Sequence, residues 1–345
     1  MITRREMTRV RRVCVAAWGG AAVSWELATP GPLVPSLATC AAFLLLATGC
    51  ALHIRRGLLA ELRRSQEIAG AAQRALLRPL PGRVDGVTLA AAQLSASRGA
   101  AVGGDLYEAV PTAHGIRVVI GDVRGHGLPA LGAAAAVLGA FREAAYDEPS
   151  LGGVLLRMER ALGRHVRDRA RAEHPAVCAG EPESPAAEEF VTVLLLQIAP
   201  DDTLTALNCG HPWPYVIRPA PEPCAVRSGG SAPDPASRSS PRSPAGLAWL
   251  AGETLPPLGV VPLPPDPRPQ ACGELRPGET LFLHTDGAED ARDAAGRFFP
   301  LRSVLAEAPL TPARLVAGVH AALLRHTGGR LADDVALLVL RNDRH

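Results

Sequence analysis

At 345 residues, with 47% apolar and 20% charged side chains, the chain can hold a sizeable core beside other segments, and its 32 prolines and 34 glycines imply long irregular stretches. All 36 basic residues are arginine, which excludes a P-loop or a protein-kinase site, since both need a lysine on the phosphates. A net charge of +2 with no basic stripe leaves no nucleic-acid footprint, and seven scattered cysteines without a C-x-x-C pair argue against a disulfide framework or a zinc site.

In chain order, residues 13–29 are apolar except for Glu26, and residues 33–52 carry no formal charge. About twenty such residues span a bilayer core of about 30 Å. The sequence therefore predicts an N-terminal anchor over 1–54, with two transmembrane helices at about 13–29 and 33–53 joined by the turn Thr29-Pro30-Gly31-Pro32. Arg4, Arg5, Arg9, Arg11 and Arg12 precede the pair; Arg55, Arg56, Arg63 and Arg64 follow it. Both flanks are then expected on the cytoplasmic side of the cell membrane, with the rest of the chain in the cytoplasm. The competing reading is a signal peptide followed by a buried core helix, although no small-residue cleavage site is evident. Residues 55–80 read as a linker helix whose stripe of Leu58, Leu62, Ser65, Ala69, Ala72 and Leu76 suits either a short parallel coiled coil joining two copies or packing on its own domain.

Beyond the linker, short apolar runs at 116–120, 190–198, 203–208, 280–284 and 335–340 predict buried strands. Helical patterns occupy 128–146, 151–167, 301–308 and 312–326. Strands and helices come in blocks, so the expected class is α+β, a domain over 81–341 with helices packed outside a sheet sandwich. Residues 170–189 and 219–246 are rich in Pro, Ser, Ala and Gly and are expected to be surface insertions.

Four acidic sites sit beside glycines at the ends of predicted strands: Gly103-Gly104-Asp105, Gly121-Asp122, Thr285-Asp286-Gly287 and Asp333-Asp334. An Asp-Gly after a strand is more often a turn than a ligand. If the strands are neighbours, however, the carboxylates converge, repel one another and call for a cation. Oxygen donors without His or Cys clusters suit Mg²⁺ or Mn²⁺ and not zinc. A pair of such ions activates water for hydrolysis of a phosphoryl group.

The same motifs resemble, in order, the stage II sporulation protein E type of serine/threonine phosphatase, within the metal-dependent (PPM, protein phosphatase 2C-like) superfamily. The stretch Ala71-Ala72-Gln73-Arg74-Ala75-Leu76-Leu77 is similar to the family's entry helix, and Gly103-Gly104-Asp105-Leu106-Tyr107-Glu108 to its first acidic motif. The run from Gly121 to Ala130 resembles Gly-Asp-Val-x-Gly-His-Gly-x-x-Ala, and Asn208-Cys209-Gly210-His211-Pro212, Pro257-Leu258-Gly259-Val260, Thr285-Asp286-Gly287 and Asp333-Asp334-Val335 fall where the family has its equivalents. The resemblance implies a four-layer α-β-β-α sandwich and two divalent cations, Mn²⁺ or Mg²⁺. It implies that Asp122 bridges them with help from the Val123 carbonyl, that Asp286 and Asp333 complete one shell, and that Asp105 serves the other ion directly or through water. Asp334 is the alternative to Asp333. Glu108 replaces the more usual aspartate while keeping its charge. The implied substrate is a phosphorylated anti-sigma-factor antagonist in a partner-switching pathway.

His126 is open to two readings, a general acid or a residue that fixes the glycine loop; His211 reads as a structural loop residue. The alternative functions are an inactive membrane scaffold that keeps the fold and a small-molecule phosphohydrolase using the same site.

Overall fold

The computed structural model describes residues 33–94, 103–125, 127–173, 189–219, 246–308 and 311–344. The expected span at 13–29, His126 and most of both expected insertions lie outside them. The chain divides into two units, residues 1–64 and 65–345.

Helix α1 runs Leu33–Leu76 without interruption, through both the stretch read as a second span, 33–53, and the start of the stretch read as a linker helix, 55–80. Ala, Leu, Arg and Glu dominate the junction and all favour helix. The helix stops at Leu76 and not at 80, because Pro79 and Pro81 cannot extend the hydrogen-bonded ladder. Among the described residues no helix is long and apolar enough to cross a membrane.

The second unit is built on two antiparallel sheets. The first comprises β1 (Arg83–Val84), β2 (Val87–Leu94), β11 (Val335–Asn342), β10 (Thr280–His284), β7 (Tyr215–Arg218) and β8 (Gly246–Trp249), in that spatial order. The second is ordered β3 (Leu106–Thr112), β4 (Gly115–Val123), β5 (Val191–Ile198), β6 (Thr203–Cys209) and β9 (Gln270–Glu274). Helices α2 (Leu128–Asp147) and α3 (Leu151–Glu173) cover the second sheet; the short α4 (Gly287–Asp290), α5 (Leu301–Ala306) and α6 (Pro312–His326) belong to the first.

Three apolar cores separate the four layers, and the alternation of side chains along each strand assigns them. In β4, Val118 and Ile120 face the other sheet with Leu283 and Leu338, whereas Val119 and Val123 face Val137, Phe141 and Leu155 of the helices. In β11, Ala336, Leu338 and Leu340 point between the sheets, and Val335, Leu337 and Val339 point to Leu315, Val319 and Leu323 of α6. With both faces covered, these strands show the unbroken apolar runs seen in the sequence. The α-β-β-α sandwich is thus observed. Residues 170–173 continue α3, so the first insertion begins later than expected.

One buried charge fixes how the outer helices meet the sheet. Arg117 of β4 is fully buried; its Nη1 donates to the carbonyls of Ala145 (2.9 Å) and Glu148 (2.6 Å) and its Nη2 to Pro149 (3.1 Å). These are carbonyls at the end of α2 and in the turn to α3, which have no helical partner.

Candidate metal centre

Asp122 was expected past the exit of a strand ending at Ile120; instead β4 continues through it, and Asp122 pairs with Thr192 of β5. Gly121 allows this continuation, because a Cβ there would lie 2.4 Å from the Thr192 carbonyl oxygen. The rigid ladder on both sides gives the carboxylate a fixed origin. Asp286 follows β10 by two residues and stands at the N-terminus of α4. Asp333 and Asp334 immediately precede β11, the hydrogen-bonded neighbour of β10.

Three glycines show how closely these segments pack. A Cβ on Gly103 would stand 2.6 Å from the Asp334 carboxyl carbon. One on Gly104 would stand 2.3 Å from the Val123 carbonyl oxygen and 2.9 Å from Asp122 Oδ1, and one on Gly287 2.0 Å from the Asp334 carbonyl oxygen. The four acidic motifs therefore meet at one edge of the sandwich, although they span more than two hundred residues of chain.

Their electrostatics follow from that meeting. Asp105 is buried; lost solvation raises its pKa well above the ordinary carboxylate range, Asp122, Asp334 and Asp286 add to the rise, and the Thr285 hydroxyl opposes it. Its Oδ2 accepts from Thr285 Oγ1 at 3.2 Å, while its Oδ1 is buried without a hydrogen-bond partner. Burial raises Asp122 to about 7, with Asp286, Asp333 and Asp334 contributing and the backbone N–H of Val123 opposing. Asp286 is raised as well, by desolvation first and Asp333 second, but it is exposed at the rim and water screens both effects. The acid pair divides its attention: Asp333 is exposed and acts on Asp122 and Asp286, whereas the buried Asp334 acts on Asp105 and Asp122. Among the described residues no three acidic or histidine side chains are drawn into a closed metal shell. The cluster is gathered at the range of mutual repulsion.

That repulsion has a measurable sign. A carboxyl whose folded-state pKa lies above its unfolded value of 3.8 binds more protons in the native state between the two values, so stability falls as pH rises through that window. In chelator, Asp122 alone is expected to lower unfolding free energy by about 2 kcal/mol between pH 5.5 and 7.5. Urea denaturation at the two pH values reads this, and saturating Mn²⁺ should remove the difference.

The acids are held in turn by hydrogen bonds from Thr285, Asn208, His211 and Thr192. Thr285 also accepts the Ala336 amide on Oγ1 at 2.9 Å, so one hydroxyl ties Asp105 to β11. Asn208 receives the His211 amide and donates to the His211 carbonyl, both at 2.8 Å. His211 Nδ1 lies 3.2 Å from Thr192 Oγ1, which in turn donates to the Asp122 carbonyl at 3.4 Å. Burial, then the nearby His284, lowers His211 to about 3. It is a neutral structural residue, as expected. Glu108 is not in the acidic cluster: it is buried and accepts from Arg142 Nε of α2 at 2.8 Å. Glu108 stands three residues beyond Asp105, so the alternation along β3 turns it to the opposite face, toward α2 and away from the acidic cluster.

Comparison with known families decides the lineage. The family model of stage II sporulation protein E (SpoIIE) matches residues 112–234 and 240–343. The chain belongs to the SpoIIE family. No curated protein matches it. Among solved structures, it is similar to the SiaA-PP2C domain of Pseudomonas aeruginosa, with 19% identity and a TM-score of 0.54 over 82% of this chain and 98% of that one. It is similar to the RsbU and RsbW domains of Rv1364c from Mycobacterium tuberculosis (21%, TM-score 0.50, 75% of this chain and 61% of that one). A third similarity is to the PP2C phosphatase domain and regulatory-domain fragment of SpoIIE from Bacillus subtilis (14%, TM-score 0.51, 74% and 63%). The chain thus spans less than two thirds of the latter two. This SpoIIE-family member has the fold of PP2C phosphatase domains.

Proposed function

We propose that this SpoIIE-family chain is a metal-dependent serine/threonine protein phosphatase that hydrolyses phosphoserine or phosphothreonine on a protein. Asp105 carries the reading: a buried carboxylate with one oxygen unpartnered, set among acids that raise it, is intelligible as a ligand. The donor set fits two hard cations, Mn²⁺ or Mg²⁺, because every candidate ligand atom is a carboxylate or carbonyl oxygen. The residues that would hold them are Asp122 with the Val123 carbonyl, Asp286 and Asp333, and Asp105, with Asp334 as the alternative to Asp333. Bound there, the ions supply positive charge that lowers the pKa of water and neutralises phosphoryl oxygens.

The protein's own contribution is placement. The β4–β5 ladder fixes Asp122, Thr285 orients Asp105, and the Asn208, His211 and Thr192 chain holds the Asp122 backbone. His211 is buried, which lowers it to about 3, and its Nδ1 lies against Thr192 Oγ1, so it is a poor proton donor to the departing serine oxygen; His126 is the proposed donor. The family resemblance points to a phosphorylated anti-sigma-factor antagonist as substrate.

Phosphate release from a phosphoserine peptide, with Mn²⁺ and then with EDTA, tests the reading. Metal-dependent turnover is expected. No turnover on any phosphopeptide would favour the scaffold, and preference for small phosphorylated metabolites would favour the small-molecule hydrolase. Residues 13–29 and 33–53 are proposed to anchor the chain in the cell membrane with the second unit cytoplasmic, on the strength of their uncharged lengths and arginine flanks; release of the intact chain by alkaline carbonate would refute this. Pairing of two copies through 55–76 is proposed from the stripe there, and a monomer on sedimentation in detergent would exclude it.

A further inference from the structure

The β4–β5 ladder does not stop at the metal centre. Asp122 pairs with Thr192 and Val123 with Val191, and the next step keeps the register, since the Arg124 amide donates to the Phe190 carbonyl at 2.9 Å. Side chains along a strand alternate, so Arg124 and Phe190 return to the face that carries Asp122 and Thr192. There the Arg124 guanidinium stands over the Phe190 ring, 5.3 Å from its centre. The arginine is exposed and the phenylalanine half-buried. A cation therefore stands at the rim of an acidic site, two residues along the strand from Asp122.

The platform under that cation is held from two sides. Glu189, buried beside Phe190, accepts from Arg169 of α3 through both carboxylate oxygens at 3.3 Å. Gly259 closes on the other flank, where a Cβ would lie 2.9 Å from the Glu189 carbonyl oxygen and 3.7 Å from Phe190 Cα. Its neighbour Leu258 exchanges both backbone hydrogen bonds with Val191, at 2.9 and 3.0 Å. The backbone that carries the ring is thus fixed. A guanidinium laid on an aromatic face gains from the ring's electrons and keeps its N–H fork in plane for a carboxylate or a phosphate.

Distance decides between those anions. Two residues of strand rise are about 7 Å, whereas an oxygen ligand stands only about 2 Å from Mg²⁺. Arg124 leans across to Phe190 and not back along β4, so its guanidinium overlooks the chain of a bound substrate and not the ions. An extended peptide also advances about 7 Å in two residues. We propose that Arg124, seated on Phe190, is a specificity-determining residue that pairs with an acidic side chain two positions from the phosphoserine of the substrate. This rests on the protein-phosphatase reading above.

The test measures kcat and KM of the full chain in Mn²⁺ on three substrates. One is a phosphoserine peptide with glutamate at the second position before and the second after the phosphoserine; another has glutamine at both positions; the last is an aryl phosphate, which has no flanking residue. Wild type should favour the acidic peptide about fivefold to thirtyfold in kcat/KM, mostly through KM, because the contact is alike in the ground and transition states. In Arg124→Gln the preference should shrink below about twofold, and in Arg124→Glu a peptide with arginine at those positions should become the better substrate. Arg124 is exposed, so these replacements leave the fold standing. Phe190→Leu keeps the charge and removes the ring, and its preference should be intermediate. Equal losses on all three substrates in Arg124→Gln would place the guanidinium on the phosphoryl group and overturn the proposal. Absence of a preference in wild type, or an undiminished one in Arg124→Gln, would overturn it as well. A wild-type chain that turns over none of the three would instead sink the phosphatase reading; anisotropy of the labelled glutamate and glutamine peptides on wild type and Arg124→Gln then decides whether Arg124 reads the carboxylate.

Discussion

Asp122→Asn is expected to lower Mn²⁺-dependent phosphate release by at least about a thousandfold while raising the stability of the metal-free protein. The two effects share one cause. Burial first, and then the charges of Asp286, Asp333 and Asp334, raise Asp122 to about 7. An amide of the same shape removes the charge from its repelling neighbours, so at pH 7.5 in chelator the variant should gain about 1–3 kcal/mol over wild type. The same amide is a poor partner for a hard cation. Denaturation in EDTA and a phosphopeptide assay in Mn²⁺ read the two effects separately. An inactive variant that is also destabilised would mean that Asp122 serves the fold; an active variant would remove it from the site.

Gly104→Ala is expected to be nearly as damaging through sterics alone. The added methyl would meet the Val123 carbonyl oxygen at 2.3 Å and Asp122 Oδ1 at 2.9 Å, and the first of these is backbone anchored in a β-ladder. Something must shift, and the loop carrying Asp105 is the less constrained side. We expect Mn²⁺ affinity to fall by about a hundredfold or more and unfolding free energy by about 1–3 kcal/mol, the usual cost of overpacking. Gly139→Ala, where a Cβ meets nothing within 4 Å on α2, is the control: it should leave Mn²⁺ affinity within error and raise unfolding free energy by up to about 1 kcal/mol, the helix preference for alanine. Wild-type metal binding by Gly104→Ala would show that Asp105 and the Val123 carbonyl do not act at one centre.

How much of this was legible beforehand depends on where each residue's partners lie. Strands β4, β5, β10 and β11 were readable because both of their faces are buried, so Ile116, Val118, Val119 and Ile120 are all apolar and no alternation is needed to see them. Strand β2 was not, since the middle of Val87–Leu94 is Ala90-Ala91-Ala92-Gln93, residues that propensity assigns elsewhere. Strands β7, β8 and β9 are short or half-exposed, and the sheet alone makes them strands.

Asp105, Asp122 and Asp286 were visible because each stands beside a glycine, and the pairing is steric where other motifs press in, at Gly103, Gly104 and Gly287; Asp333 and Asp334 were visible as an acid pair before an apolar run. The supporting roles were not visible. Thr285 and Gln73 stand inside stretches the sequence singled out, but they and Thr192 act on atoms 180, 30 and 70 positions away, and local sequence does not disclose partners so distant. Glu108 misled in the opposite way, because it stands inside a recognisable motif yet pairs with Arg142 on the helix side of the sheet.

The central claim is that carboxylates from four separate segments share a pair of hard ions, and locating manganese addresses it most directly. Crystals grown with Mn²⁺ and measured at the manganese absorption edge should show two anomalous peaks, both touching Asp122, one shared with Asp286 and Asp333 and the other on the side of Asp105. Peaks elsewhere, or none at saturating Mn²⁺ with Asp122 and Asp286 left facing water, would contradict the account.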